Sequence, residues 1–384
     1  MHNLLDSIPD DFPVFEGAGG PWSAAMLRER IAQLRRALEA RSAPGAPVAI
    51  LADNSPDWLA IDLCTRQMGI TLVPLPLFFT PVQWLHVIAQ SGVQALFCAQ
   101  AQQGAALGFG RAIACAGALA LCENPQAAPA PALHDVQKIT FTSGTTSTPK
   151  GVCLSGDQQW EVAQALHAGL GALELRRHLC LLPFAVLLEN IAGPYTAMLS
   201  GATTVCPPLA EVGLSGSSGF DAQLCLAAIE RHQAHSIILL PQMLQALVAA
   251  AVPDDPRIAS LRFVAVGGAK TPARLLAAAQ QAGFPVYEGY GLSECSSVVA
   301  LNLPGARRPG SVGRALPGRA VRIAADGEIE IGAVRARYLG QEAGAGDWFA
   351  SGDLGHLDAD GFLYIDGRKK DILITGFGRN VSPE

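Results

Sequence analysis

The chain has 384 residues, half of them hydrophobic and 16% charged, with a formal net charge of −6. That much apolar material excludes a disordered or fibrous chain and calls for a large buried core. The acidic balance, with basic residues only in short clusters, argues against a duplex-binding protein and predicts no nucleic-acid partner.

In chain order, Leu27, Ile31, Leu34 and Leu38 recur at helical spacing and predict an amphipathic helix. A short apolar run, 48–51, predicts a strand, and 57–68 a second helix stopped by Gly69. Runs at 71–75 and 95–98 predict further strands. Residues 123–135 (Ala/Pro-rich) and 211–221 (Gly/Ser-rich) predict linkers or loops. The alternation returns with a strand at 236–240, a helix at 242–251, a strand at 262–266 and a helix at 272–282. Short strands alternating with helices describe mostly parallel βαβ units. From about residue 310 the texture changes. Runs at 321–323, 328–331 and 362–365 predict a small antiparallel sheet. The expected fold is α/β: two stacked βαβ-type subdomains with mixed or parallel sheets, plus a small antiparallel, barrel-like β subdomain.

Nine cysteines show no C-x-x-C pair and no Cys/His metal spacing. They read as reduced, mostly buried small apolar residues of a cytoplasmic protein. The start, Met1 to Asp6, lacks the basic residues and apolar run of a signal peptide. No stretch approaches the roughly 20 apolar residues of a spanning helix, so no integral membrane segment is expected.

The densest chemical signal is Thr140-Phe141-Thr142-Ser143-Gly144-Thr145-Thr146-Ser147-Thr148-Pro149-Lys150-Gly151-Val152. An apolar run leads into hydroxyls and glycine, and then a lysine. Small residues let backbone approach a polyphosphate, hydroxyls and amides donate to its oxygens, and a lysine adds a point charge. By composition alone the segment fits a Ser/Thr-rich solvent loop equally well. It is not a P-loop, because no G-K-[ST] follows Gly144.

T-S-G-T-T-x-x-P-K-G-V resembles the signature of the adenylate-forming enzymes: acyl- and aryl-CoA synthetases, nonribosomal peptide synthetase adenylation domains and beetle luciferases. The resemblance implies that Thr142, Ser143, Gly144, Thr145, Thr146 and Lys150 grip the β- and γ-phosphates of ATP. Four more segments follow in the family's order. At Val266-Gly267-Gly268-Ala269, read alone as a strand-to-helix turn, the family places adenine and the substrate's head group. Glu288-Gly289-Tyr290-Gly291-Leu292-Ser293-Glu294 looks like Y-G-x-T-E. It implies adenine packing on Tyr290, with Glu288 and Gly289 also at the nucleotide, an α-phosphate contact from Ser293, and Mg²⁺ held by Glu294, a hard oxygen ligand. Ser293 stands where threonine is usual and keeps the hydroxyl. Trp348-Phe349-Ala350-Ser351-Gly352-Asp353 resembles W-x-x-T-G-D, and Asp353 would accept the ribose hydroxyls. Asp366-Gly367-Arg368-Lys369-Lys370-Asp371-Ile372 resembles the hinge G-R-x-K-D-x-I, with Arg368 on the ribose and phosphate side and Lys370 at the hinge.

Phe184, Ala185 and Val186 match the segment that lines the acid pocket, together with Gly267 and Gly291. Amino-acid-activating members carry an Asp where this chain has Ala185. A buried ammonium without a counter-charge costs several kcal/mol, so the expected acid has no α-amino group. Fatty and aryl acids both remain open. The implied reaction is ATP-dependent formation of an acyl-adenylate and pyrophosphate, with catalysis carried by Lys150, Ser293, Glu294 and Arg368. Transfer to coenzyme A or to the phosphopantetheine of an acyl carrier protein would follow. Residues 1–367 would form the large adenylation domain and 368–384 the hinge and the start of a truncated C-terminal domain. On that expectation this polypeptide adenylates poorly by itself. The competing reading is a non-catalytic acyl- or nucleotide-binding module.

Overall fold

The computed structural model describes residues 2–124, 126, 133–142, 149–216, 219–335, 337–341, 347–369, 373–374 and 380–381. Three sheets organise them. The expected helices and strands fall where the apolar periodicity put them. Helix Ala24–Glu39 buries Leu27, Ile31, Leu34 and Leu38 and starts at Ser23, whose side chain accepts the Met26 amide. Each such buried aliphatic is worth about 1.5–3 kcal/mol. Helix Pro56–Met68 is capped by Ser55 and ends at Gly69, which takes the left-handed conformation at φ 64°.

Counted over the described residues, one sheet has nine strands. Its centre is parallel: Thr203–Val205, Arg177–Leu179, Ser236–Leu239, Phe263–Val266 and Val286–Leu292 lie side by side. Strands Ser297–Leu301 and Arg314–Ala315 extend it antiparallel at one edge. A second, eight-stranded sheet has Leu72–Pro74, Val48–Leu51 and Ala95–Cys98 in its parallel core. The hairpin Lys138–Thr142 with Lys150–Leu154 belongs to it, as does the short strand Arg337–Tyr338. A four-stranded antiparallel sheet holds Val321–Ile323, Glu328–Gly332, Trp348–Leu357 and Leu363–Arg368.

The main core runs from one large sheet to the other through the helices between them. Phe15, Leu27, Trp58, Val152, Leu166, Phe184 and Tyr195 all belong to it. The 211–221 segment is not a linker. Leu209–Val212 forms a 3-10 turn with Val212 buried, Leu214–Ser215 pairs with Gly219–Phe220, and Asp221 caps the helix Ala222–His232. Gly213 (φ 91°) and the Asp cap supply turn chemistry that polar composition alone concealed. All eight cysteines described with a side chain are buried, and none of them is in a disulfide. Among the described residues no helix is long and apolar enough to cross a membrane.

A fully buried polar cluster ties the layers together. Lys138 Nζ lies 3.0 Å from Asp62 Oδ2 and also bonds Asn190 Oδ1. Asn190 Nδ2 and the Tyr195 hydroxyl each donate to Asp62 Oδ2 at 3.0 Å. Burial pushes the lysine's pKa down, and Asp62 opposes that. Asp62→Ala would strand a buried ammonium and should destabilise the fold by roughly 3–5 kcal/mol. The joint replacement Asp62→Leu with Lys138→Met should recover much of that loss. Thermal midpoints of the two variants check both statements, and a double variant no better than Asp62→Ala would contradict them.

Candidate functional site

A cavity of about 830 Å³ opens where the three sheets meet. Parallel strands leave their carboxyl ends and following turns at one edge, the usual place for a ligand in an open α/β sheet. Val266 ends its strand there, and Gly267 and Gly268 follow. Gly268 is left-handed at φ 80°, a conformation that glycine takes without strain. Next door, Gly289, Tyr290 and Gly291 run along strand Val286–Leu292 to Ser293 and Glu294. Gly291 has its own packing reason: a Cβ there would overlap the backbone oxygen of Ser297 on the paired strand. All of Gly267, Gly268, Gly289, Tyr290, Gly291, Ser293 and Glu294 line the cavity.

The eight-stranded sheet reaches the same cavity through its hairpin. Thr142 and Lys150 are cross-strand partners, and both line the cavity. Ser143, Gly144, Thr145 and Thr146, which join them, lie outside the described residues, as does Lys370.

The four-stranded sheet supplies Asp353 and Arg368, also cross-strand partners. Arg368 Nε stands 3.2 Å from Asp353 Oδ1, and the Tyr290 hydroxyl donates to Asp353 Oδ2 at 2.6 Å. Burial pushes the Asp353 carboxyl up, and Tyr290 and Arg368 hold it back down. Asp353 is buried behind Tyr290 and Arg368, which themselves line the cavity. Thus Lys150, Glu294 and the Asp353 group converge on one space.

Glu294 has a partner that no motif indicated. Tyr338, on the short strand added to the eight-stranded sheet, donates its hydroxyl to Glu294 Oε1 at 2.6 Å. Burial and then Glu294 push the Tyr338 phenol's pKa up. Among the described residues, Glu294 Oε2 accepts no hydrogen bond. A carboxylate so placed suits Mg²⁺, which takes one or two protein carboxylates and completes its shell with water and phosphate oxygens.

Other expected residues sit elsewhere. Phe184 is core, its ring centroid 5.3 Å from that of Trp58 and its amide donated to Asn54 Oδ1. Val186 lines the cavity with Leu187 and Leu188, whereas Ala185 and Ala269 are not among the lining residues. The Glu288 side chain alternates to the sheet face opposite Tyr287 and Gly289, and its Oε1 accepts the Thr271 amide at 3.3 Å.

The deep end of the cavity holds residues that motif reading passed over. His178 and Ser236 lie on two adjacent strands, in register with each other. His178 also contacts Glu189, which lies within the stretch 181–190 that matches the pocket segment. The one sequence signal was a polar residue immediately before each apolar run. Cys180 lies near His178 and Glu189, their candidate ligand atoms all within 4.8 Å. Burial, with Glu189 beside it, pushes the Cys180 thiol's pKa well up, which disfavours the thiolate that a metal needs.

Residues 7–334 match the protein family described as AMP-binding enzyme. The chain is 30% identical to an indoleacetate–CoA ligase of Aromatoleum aromaticum, over 94% of this chain and 76% of that one. It is equally identical, over the same shares, to a feruloyl-CoA synthase of Amycolatopsis sp.. An O-succinylbenzoate coenzyme A synthetase structure from Bacillus subtilis, in complex with ATP and magnesium ion, shares the fold. Its TM-score is 0.81 at 24% identity, covering 100% of this chain and 82% of that chain.

Glu288 yields a prediction of pH dependence. Burial pushes its carboxyl up to about 7 from 4.5, against the Thr271 amide and Lys270. The folded protein therefore holds this proton more tightly than the unfolded chain does. The neutral carboxyl's stabilisation is complete below about pH 4.5, falls as pH rises towards about 7, and is gone above it. Glu288→Gln should remove this loss, so that from about pH 4 to pH 8 the variant gains on the parent by up to about 3 kcal/mol. Denaturation curves at the two pH values measure the gap. A gap independent of pH would rule the explanation out.

Proposed function

Since the chain belongs to the AMP-binding, adenylate-forming enzyme family, we propose that it activates a carboxylic acid lacking an α-amino group. One observation carries the reading. Lys150, Glu294 and the Tyr290–Asp353–Arg368 group come from three different sheets and gather at one cavity of about 830 Å³. A single ATP is large and polar enough to engage all three.

In this reading a carboxylate oxygen of the acid attacks the α-phosphorus of ATP. The bond from that phosphorus to the bridging oxygen breaks, and pyrophosphate leaves with its electron pair. No protein nucleophile takes part, so the chain's contribution is position and charge. Lys150 stands where the hairpin opens on the cavity and bears on the phosphates. Glu294 would hold Mg²⁺, whose charge offsets that of the phosphates. The ribose lies against the Tyr290–Asp353–Arg368 group, in which Asp353 holds the two side chains that line the cavity. Ser293, on the cavity wall beside Glu294, would donate its hydroxyl to the α-phosphate.

The acid lies deeper, against Val186, Leu187, Leu188, Ile238 and Ala265. These walls suit an aryl or alkyl tail. Glu294 is the carboxylate among the described lining residues, and it is committed to the nucleotide side. An α-ammonium would therefore lack a counter-charge in the acid pocket. Coenzyme A, which appears in the names of both curated relatives, is the proposed acceptor of the acyl group. A carrier-protein phosphopantetheine arm presents the same thiol.

The test is acid-dependent exchange of pyrophosphate into ATP across a panel of aryl, alkyl and amino acids. Exchange is expected with non-amino acids and Mg²⁺. Glu294→Gln should lower kcat/KM about 100-fold without lowering the thermal midpoint. ATP binding with no exchange for any acid would favour a non-catalytic binding module instead.

A further inference from the structure

The cavity follows the inner face of the nine-stranded sheet, and strand register gives its depth. Leu240 and Gly267 lie at its shallow end, just past the ends of their strands. Ser236 and Phe263, register partners, lie at the opposite ends of the same two strands and also line it. Four residues at about 3.3 Å each separate these rows, so the cavity runs about 13 Å along the sheet. Between them the wall is apolar, with Ile238 and Ala265.

The deep row is not apolar. His178 stands beside Ser236 in register, and its two ring nitrogens are both engaged. Nε2 lies 2.8 Å from Glu189 Oε1, and Nδ1 lies 3.0 Å from Ser236 Oγ. Glu189 Oε2 already accepts the amides of Leu181 at 3.2 Å and Leu182 at 2.8 Å. Glu189 as acceptor requires a proton on Nε2. We assign the tautomer that carries that proton alone, in which Nδ1 accepts and the Ser236 hydroxyl donates to it. Gly193 makes room for this pair, because a Cβ there would overlap His178 Nε2 and crowd Glu189 Oε1. Glu189 is fully buried, and His178 and Ser236 are 4% and 5% exposed.

The proton of Ser236 is thus spent, and Ser236 lines the cavity with acceptor capacity left over. One more lining hydroxyl shares this state: Thr196 Oγ1 donates to the Ile191 carbonyl at 3.2 Å. The far part of the cavity therefore offers hydrogen-bond acceptors to its occupant.

We propose that the Glu189–His178–Ser236 relay reads the far end of the substrate and selects acids whose apolar tail ends in a hydrogen-bond donor, a hydroxyl or an N–H. This rests on the acid-activation reading and specifies the acid within it. Ser236 makes the contact. His178 and Glu189 are positioning residues that fix which way the hydroxyl points. An acid with an unsubstituted tail leaves the buried acceptor unpaired, and such a mismatch discriminates more strongly than an added methylene does.

The test compares matched pairs: 4-hydroxycinnamic with cinnamic and 4-methoxycinnamic acids, and 10-hydroxydecanoic with decanoic acid. Direct binding is measured by calorimetry on this chain, and activation by pyrophosphate exchange. In at least one series, the hydroxylated acid should bind about tenfold more tightly than its unsubstituted partner. The methyl ether, which only accepts, should show no such gain. Ser236→Ala should bring the ratio to within about twofold. Equal binding of partners in both series by the parent chain, or a ratio unchanged in Ser236→Ala, would overturn the proposal. Selective binding without exchange would leave the tail reading standing and remove the activation reading. Exchange without selectivity would do the reverse.

Discussion

The buried contact between Lys138, Asp62, Asn190 and Tyr195 holds the two large sheets in one arrangement. Lys138 begins the strand that ends at Thr142, where the chain turns towards Lys150. Asn190 ends the short helix Leu187–Asn190, whose first turn walls the cavity. Asp62 comes from the helix packed between the sheets. An ammonium with no access to water tolerates little displacement of its partners, because every lost hydrogen bond leaves a charge uncompensated. The hairpin side of the cavity and the side walled by Leu187–Asn190 are therefore set against each other by one rigid cluster, in addition to the apolar packing around it.

A second set of contacts brings in the small sheet. Tyr290 belongs to the nine-stranded sheet, Asp353 and Arg368 to the four-stranded one, and their bonds cross the gap between the two. Tyr338 and Glu294 make the corresponding link from the eight-stranded sheet. Both links run through a tyrosine hydroxyl to a carboxylate. A phenol orients a carboxylate without cancelling its charge, and at Asp353 the Arg368 guanidinium adds a counter-charge. Electrostatic preorganisation of this kind is worth most where water is scarce.

The cavity is a gradient of polarity along a sheet. At the carboxyl ends of the strands sit glycines, a serine and charged groups. Two residues deeper come Ile238 and Ala265, and two residues deeper again the polar row of His178 and Ser236. Period-two alternation puts all of these on one face. The intervening Leu239 and Val264 are not among the lining residues and belong to the core beneath the outer helices.

Much was legible in the residues themselves. Periodicity located the helix Ala24–Glu39 and the strands Val48–Leu51 and Ala95–Cys98, because local side-chain spacing and caps decide such elements. The ordered motifs from Thr142 to Arg368 announced the family, because they carry their chemistry within a few consecutive positions. Tertiary structure alone decided the rest. Tyr338 meets Glu294, and Asp62 meets Lys138, across separations that no local pattern encodes. The side of the sheet to which Glu288 points, and the pairing of His178 with Ser236, depended on register between strands far apart in the chain. Register is settled by the packing of whole faces, and a polar residue at the head of an apolar strand has no assigned neighbour until that packing is complete.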